Sequence, residues 1–121
     1  MTDLVITLTH HESDENNVTL AFSMGIKALE KGHTVDILLL SHGVHLAEKG
    51  YGDKIDIGAP FEPVKSLIPA FVEMGGKVKV CSACVEHNNV DKNNLIDGAE
   101  MIKADDVIDI LMESKKSLQL N

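Results

Sequence analysis

The chain has 121 residues, a formal charge of −8, and 44% hydrophobic and 25% charged residues, which is typical of one globular domain with a single core over residues 1–121. Every basic residue apart from histidine is a lysine and aromatic residues make up only 3%, so nucleic-acid binding, which uses basic clusters and stacking rings, is not expected. No apolar run is long enough to span a bilayer and Met1–Asp3 lacks the basic stretch of a signal peptide, so we expect no membrane partner and a cytoplasmic location.

The first third of the chain predicts a strand, a helix and a second strand. Leu4–Leu8 is a continuous apolar run, as in strands buried on both faces. Apolar residues recur at helical spacing from 18 to 29, and Gly32 ends that helix. Val35–Leu40 has the pattern of a second buried strand. The N-terminus of that helix is marked by three residues that supply capping oxygens and negative charge: Ser13, Asp14 and Glu15.

The middle of the chain predicts shorter elements. We expect a short helix at 44–49, a glycine-rich loop at 50–58, and then a further helix that Pro69 kinks or shortens. The apolar stripe of that further helix has five members: Phe61, Val64, Ile68, Phe71 and Gly75. The alternating residues Val78–Val80 predict a third strand, which leads directly into Cys81.

The last third predicts a loop at 86–94, a short strand Glu100–Lys103, a helix Ala104–Ser114 and a final strand Ser117–Leu120. Three methionines are expected in the core: Met74, Met101 and Met112. Strands that alternate with helices imply right-handed crossovers and a mostly parallel sheet covered on both faces. The sequence therefore predicts the α/β fold class.

Polar and sulfur-containing residues follow three of the predicted strands. In an open parallel sheet the carboxyl ends of the strands share one edge, where ligands bind. The residues that follow the first three strands should therefore meet there: His10, His11 and Glu12 after the first, Ser41, His42 and His45 after the second, and Cys81, Ser82 and Cys84 after the third. We call this edge the rim.

Cys81 is the main candidate for chemistry because it stands where a strand gives way to a turn or helix. Backbone N–H groups and the positive end of a helix stabilise a thiolate there, and the thiolate is the nucleophilic form. We expect the Cys81 thiol to be open to solution, with a rim imidazole to assist it as cation or base. Cys81 and Cys84 are the two candidate catalytic residues.

Three other interpretations of the Cys-x-x-Cys pair remain open. Free cysteines are often buried packing residues. Cys81, Cys84 and His87 also have the spacing of zinc ligands, which a rim histidine could complete, although no second cysteine pair is present. A thioredoxin-like redox pair is a further possibility, but the aromatic residue usual before such a pair is absent.

The rim histidines are supporting candidates, although a single loop histidine more often serves as a hydrogen-bonded structural residue. His10 and His11 are consecutive, so in extended backbone only one of them faces the site. His42 and His45 are three residues apart and can face the same way. His33 precedes the second strand at the opposite edge of the sheet and is expected to be structural.

The chain resembles the DsrE-type (DsrE/TusD-like) family of sulfur-relay and sulfur-oxidation proteins over nearly its whole length. Four features in order carry the resemblance: a strand ending in Thr9-His10, a helix ending in Lys31-Gly32-His33, the "GVHLAEKG" segment from Gly43, and Gly75-Gly76-Lys77-Val78 before Cys81. Cys84 departs from this pattern, because relay members usually carry a small residue without a thiol there. Asn88-Asn89 stands where relatives often have a basic residue and glycine, and asparagine tolerates the same positive-φ turn.

The resemblance implies a three-layer, Rossmann-like α/β/α sandwich with a five-stranded, largely parallel sheet, assembled as a homo-oligomer (a trimer or hexamer). It also implies that Cys81 accepts sulfane sulfur as a persulfide, without a cofactor, and passes it between donor and acceptor proteins or small thiols. A Cys81/Cys84 redox protein and a non-catalytic oligomer that holds a metal or ligand remain the alternatives.

Overall fold

The computed structural model describes residues 2–11 and 14–120. The described residues include five strands: β1 (Leu4–Leu8), β2 (Val35–Leu39), β3 (Lys77–Cys81), β4 (Ala99–Ile102) and β5 (Lys116–Leu120). They form one sheet in the order β4-β3-β2-β1-β5. All four pairings are parallel, so the predicted α/β class with a five-stranded parallel sheet is confirmed.

Four α-helices and one 3₁₀ helix connect the strands: α1 (Glu15–Glu30), the 3₁₀ helix (Ser41–Ala47), α2 (Val64–Glu73), α3 (Ser82–His87) and α4 (Ala104–Glu113). Asp14 caps α1, since its carboxylate accepts a hydrogen bond from the Asn17 N–H at 3.1 Å, as the sequence predicts. The other predicted cap residue, Ser13, and the predicted rim residue Glu12 lie outside the described residues.

One face of the sheet carries the larger core, which α1 and α2 cover. The rings of Phe22 on α1 and Phe71 on α2 meet edge to face, with centroids 5.8 Å apart, a favourable aromatic geometry. Gly25 makes room for this contact, because a Cβ there would lie 2.7 Å from the Phe71 ring. The small residue therefore sets how closely the two helices approach.

The opposite face carries a smaller core beneath α4. Val5, Leu38, Ile102 and Val107 form it, contributed by three strands and by α4. Helices thus cover both faces of the sheet, which gives the three-layer α/β/α sandwich that the resemblance implies.

The structure differs from the predicted elements at three places. α2 begins at Val64, runs through Pro69 and ends at Glu73, so the proline lies inside the helix and both Phe61 and Gly75 lie outside it. The segment predicted as a helix at 44–49 is instead a 3₁₀ helix that starts at Ser41, directly after β2. The predicted loop at 86–94 begins later than expected, because α3 continues to His87.

The expectation that three methionines are core residues is wrong. Met74, Met101 and Met112 are 43%, 41% and 79% exposed. Met74 follows the end of α2, Met101 lies on the edge strand β4 and Met112 lies on α4. Their hydrophobicity suggested burial, but each occupies the outer side or the end of its element. Within the described residues, no helix is both long and apolar enough to cross a membrane.

Candidate functional site

The carboxyl ends of β1, β2 and β3 lie side by side, because these strands are neighbours with a continuous parallel register. β1 leads into His10 and His11, β2 into Ser41 and His42, and β3 ends at Cys81. The predicted rim is therefore confirmed for the described residues.

Cys81 is the last residue of β3 and the N-cap of α3, with an extended backbone (φ −66°, ψ 116°). Its side chain is only 9% exposed and packs in the larger core. The expectation of an open Cys81 thiol is therefore wrong: the sheet still surrounds the side chain of the final strand residue. Cys84, one turn into α3, is the more accessible of the two, and both cysteines are free thiols.

The two thiols interact directly. Burial, together with a hydrogen bond to Cys81, raises the pKa of the Cys84 thiol. A hydrogen bond that raises the pKa of a thiol is one in which its S–H is the donor, because that bond is lost on ionisation. Burial and the hydrogen bond with Cys81 therefore both favour the protonated form of Cys84.

The backbone of Ser41 and the side chain of Asn88 hold this turn against the end of β2. The Ser41 N–H donates to the Cys84 sulfur, which partly offsets the rise of the Cys84 pKa. The Asn88 side-chain amide donates to the Cys84 carbonyl at 2.9 Å and to the Ser41 carbonyl at 3.5 Å. Ser41 has a positive φ of 54°, a conformation that costs a non-glycine residue about 1–2 kcal/mol. In this conformation the Ser41 N–H points toward the Cys84 sulfur.

A cavity of about 410 Å³ opens beside Cys84. Six residues line it: Ser41, His42, Ala83, Cys84, His87 and Asn88. The described lining residues contain two imidazoles and a thiol and include no carboxylate, although the whole chain carries a charge of −8. These residues thus leave room beside Cys84 for an anionic sulfur compound.

Three of the four rim histidines form a ring cluster next to this cavity. The His11 ring lies 5.6 Å from the His42 ring and 5.5 Å from the His45 ring, both edge on. Tyr51 stacks on His45 at 5.2 Å and meets His11 at 6.0 Å. His42 belongs to both the cluster and the cavity, so it links Cys84 to the other imidazoles. Of the consecutive pair, His11 joins the cluster, as the alternation predicts for one of them.

The fourth rim histidine, His10, is placed differently. Its Nδ1 is 3.3 Å from the Thr9 hydroxyl, which fits a structural role. Among residues 2–11 and 14–120, no three His, Cys, Asp or Glu side chains are arranged to hold a metal ion. The structure thus offers no support for the zinc alternative with Cys81, Cys84 and His87.

Sequence reasoning placed Ser41 at the rim without giving it a role, and it did not single out Tyr51 or Asn88 as site residues. The role of Ser41 could not have been predicted, because no sequence pattern marks a serine with a positive φ. Tyr51 carried a weak signal, as the only tyrosine in the chain and flanked by two glycines. Asn88 lies four residues after Cys84, the spacing at which a side chain can reach back to a carbonyl at a helix end.

The fold and site define a small Rossmann-like α/β protein with a cysteine pair at the carboxyl edge of its sheet. The model of the DsrE/DsrF-like family matches residues 3–120, and the chain belongs to this family, which is associated with sulfur relay. An uncharacterized protein of Methanocaldococcus jannaschii, MJ0989, is 32% identical over 94 residues, which cover 78% of each chain.

Two solved structures share the fold. The YchN protein of E. coli superposes with a TM-score of 0.80 at 16% identity, covering 98% of this chain and 99% of YchN. The BT1422 protein of Bacteroides thetaiotaomicron is described as a conserved protein of unknown function. It superposes with a TM-score of 0.69 at 18% identity, covering 98% of this chain and 94% of BT1422. At these identities the likeness concerns the fold alone.

Proposed function

We propose that this protein carries sulfane sulfur as a persulfide on Cys81 and passes it to the thiol of a partner protein or small molecule. The observation that carries the proposal is the position of the pair: Cys81 ends β3 at the rim and is the N-cap of α3, and Cys84 lies beside it in the first turn of that helix. A thiolate is the nucleophile in sulfur exchange. Membership of the DsrE/DsrF-like family supports the choice of chemistry.

Loading and delivery are two exchange reactions. The Cys81 thiolate attacks the outer sulfur of a persulfide or polysulfide, the donor S–S bond breaks, and the donor leaves as a thiolate. An acceptor thiolate then attacks the outer sulfur of the Cys81 persulfide, and the Cys81 thiolate leaves with the bonding electrons. Neither step changes the number of S–S bonds, so no cofactor is required.

Burial of Cys81 suits a carrier, because a persulfide on a side chain that is 9% exposed is shielded from solvent thiols. Donor and acceptor reach it at the rim, where the Cys84 cavity is the adjoining opening. We also propose that the protein works in the cytoplasm as a homo-oligomer, a trimer or hexamer, by analogy with its family.

The test is to incubate the protein with inorganic polysulfide and to measure intact mass. Wild type should gain one sulfur atom that maps to Cys81 after proteolysis, and a thiol should remove it. Ser82→Ala, in the same turn, is the matched control and should load like wild type. If Cys81→Ser gains sulfur as readily as wild type, the assignment of Cys81 is wrong.

A second candidate is a redox protein that cycles a Cys81–Cys84 disulfide. The direct hydrogen bond between the thiols favours it, because the two sulfurs need little further approach to form a bond. Equilibration in glutathione buffers distinguishes this candidate. A redox protein should show a defined dithiol–disulfide midpoint and reduce an external disulfide substrate, whereas a persulfide carrier should have no turnover with that substrate.

A further inference from the structure

We infer that Cys84 resolves the Cys81 persulfide internally, so that sulfur not delivered to an acceptor is released as hydrosulfide while a Cys81–Cys84 disulfide forms. The inference rests on the proposed persulfide at Cys81 and adds a second fate for it. It assigns to Cys84 a reaction that a carrier with one cysteine cannot perform.

Position is the first argument. Cys81 is the N-cap of α3, and Cys84 lies in the first turn of this helix and packs against the core cluster that contains Cys81. The Cys84 thiol is also hydrogen-bonded to Cys81, whose sulfur becomes the inner sulfur of the persulfide. Cys81 itself is only 9% exposed, so an external thiol has restricted access to the inner sulfur. Cys84 is therefore the thiol that reaches this atom with the least movement, and intramolecular placement is worth a large effective concentration.

The chemistry balances without an external oxidant. Cys84 loses its proton, and its thiolate attacks the inner sulfur at Cys81. The S–S bond of the persulfide breaks, and hydrosulfide leaves with the electron pair. The sulfane sulfur is reduced, and the two cysteine thiols supply both electrons as they become a disulfide. A small thiol or dithiol reductant then restores the two free cysteines for another cycle.

The cavity provides for the proton and the leaving group. His42 on the 3₁₀ helix and His87 at the end of α3 line it with Cys84, and a neutral imidazole accepts a proton near neutral pH. None of the described residues that line the cavity is a carboxylate, so none of them repels the departing hydrosulfide anion. At about 410 Å³ the space is ample for such a small ion.

Protonation of Cys84 sets the balance between storage and release. Burial and the neighbouring Cys81 raise the pKa of Cys84, so its thiolate is scarce at neutral pH and the persulfide lasts long enough to be delivered. Release should accelerate as pH rises toward that raised pKa. The titratable groups around the reaction are the two cysteines, His42 and His87.

The experiment loads wild type and Cys84→Ser with inorganic polysulfide, removes the excess by desalting, and follows both at pH 7 and pH 9. Hydrosulfide is quantified by trapping with a bimane reagent, and intact mass reports the persulfide. The peptide 80–92, which lies between Lys79 and Lys92 and contains both cysteines, shows directly whether a disulfide has formed.

We expect wild type to release about one hydrosulfide per persulfide lost and to form the disulfide, with a faster rate at pH 9. Cys84→Ser should hold its persulfide at least about tenfold longer and should form no disulfide, since it lacks the positioned thiol. Ser82→Ala is the matched control and should behave as wild type. Cys84→Ala provides a second variant if serine disturbs the turn.

Two results separate the inference from the function on which it rests. If Cys84→Ser and Cys84→Ala load on Cys81 but lose the persulfide as fast as wild type, internal resolution is refuted and the carrier proposal stands. If wild type and the Cys84 variants all fail to load on Cys81, the carrier proposal is refuted, and the inference is refuted with it.

Discussion

Gly43 offers a direct test of how the rim is built. It lies in the 3₁₀ helix that carries His42 and His45, and a Cβ at this position would collide with the carbonyl oxygen of Leu8 in β1. The carbonyl oxygen of His10 would lie 3.4 Å from the same atom. Both obstacles are backbone atoms, and β1 is held between β2 and β5. The Gly43→Ala variant must therefore displace the 3₁₀ helix.

The expected cost follows from overpacking against atoms that cannot rotate away, about 1–3 kcal/mol. For a domain of this size, each kcal/mol corresponds to about 3–6 °C in the melting temperature. Gly43→Ala should therefore lower Tm by roughly 5–15 °C in thermal unfolding followed by circular dichroism.

Gly52→Ala is the matched control. Gly52 is also buried, but the atom nearest to its added Cβ is Cγ1 of Val64, a side-chain atom, at 3.1 Å. A side chain can shift by a few tenths of an ångström, so the cost should stay below about 1 kcal/mol. If the two variants melt together, or if Gly43→Ala melts within about 2 °C of wild type, then the close packing of the 3₁₀ helix on β1 is not what fixes the rim.

Three further outcomes follow from individual contacts. Asn89 has a φ of 58°, so in urea titrations Asn89→Gly should keep or raise the free energy of unfolding and Asn89→Ala should lower it by about 1 kcal/mol. A glycine variant less stable than the alanine variant would contradict the assigned turn. Hydrogen bonds from the Thr34 N–H and Lys115 lower the pKa of Asp3. The Asp3 carboxylate therefore stabilises the fold above its unfolded pKa, and this stabilisation is lost as the pH falls through its folded pKa. Asp3→Asn should lower the urea midpoint at pH 7 more than at pH 2.5. The raised pKa of Cys84 should place the half-maximal rate of its alkylation by iodoacetamide, read by peptide mass, at a higher pH than for a free cysteine near about 8.5.

The sheet and the rim could be predicted because both follow from one-dimensional patterns. Leu4–Leu8 is a continuous apolar run, and Val35–Leu39 is apolar apart from Asp36. Such segments of an α/β chain are central strands, and these two form β1 and β2 within one residue of the expected bounds. Parallel strands send their carboxyl ends to one edge. The strand pattern alone therefore predicts that the residues following each strand lie close together. The cluster of His11, His42 and His45 confirms this prediction.

Which cysteine faces water could not be predicted, because it depends on where β3 ends. The strand pattern stops at Val80 in the sequence, yet the pairing continues by one residue to Cys81, which pairs with Ile102 of β4. This additional strand pairing keeps the Cys81 side chain against the core, so Cys84 is the more exposed of the two cysteines. Strand ends are uncertain by a residue or two when they are read from sequence, and here one residue decides the exposure of the thiol.

Pro69 shows the same limit in a helix. Proline lacks an N–H and crowds the carbonyl four residues earlier, which predicts a kinked or shortened helix. α2 nevertheless runs from Val64 to Glu73 with Pro69 at its exposed surface. Tertiary packing compensates, because Val64, Leu67, Ile68 and Phe71 are buried along the opposite side of this helix. The burial of these side chains outweighs the low helix propensity of proline, and the sequence pattern alone does not show which of the two effects is larger.

The burial of Cys81 also constrains any partner that takes sulfur from it. A rigid protein surface cannot touch a side chain that is 9% exposed, so the acceptor thiol must approach on an extended segment or α3 must move. α3 has six residues, too few to be stable on its own, and the Asn88 amide ties it to the Ser41 carbonyl at 3.5 Å. Loss of this weak contact would free the Cys84 turn first. Delivery to a partner protein therefore requires an extended acceptor segment or movement of α3, whereas internal resolution by Cys84 requires neither.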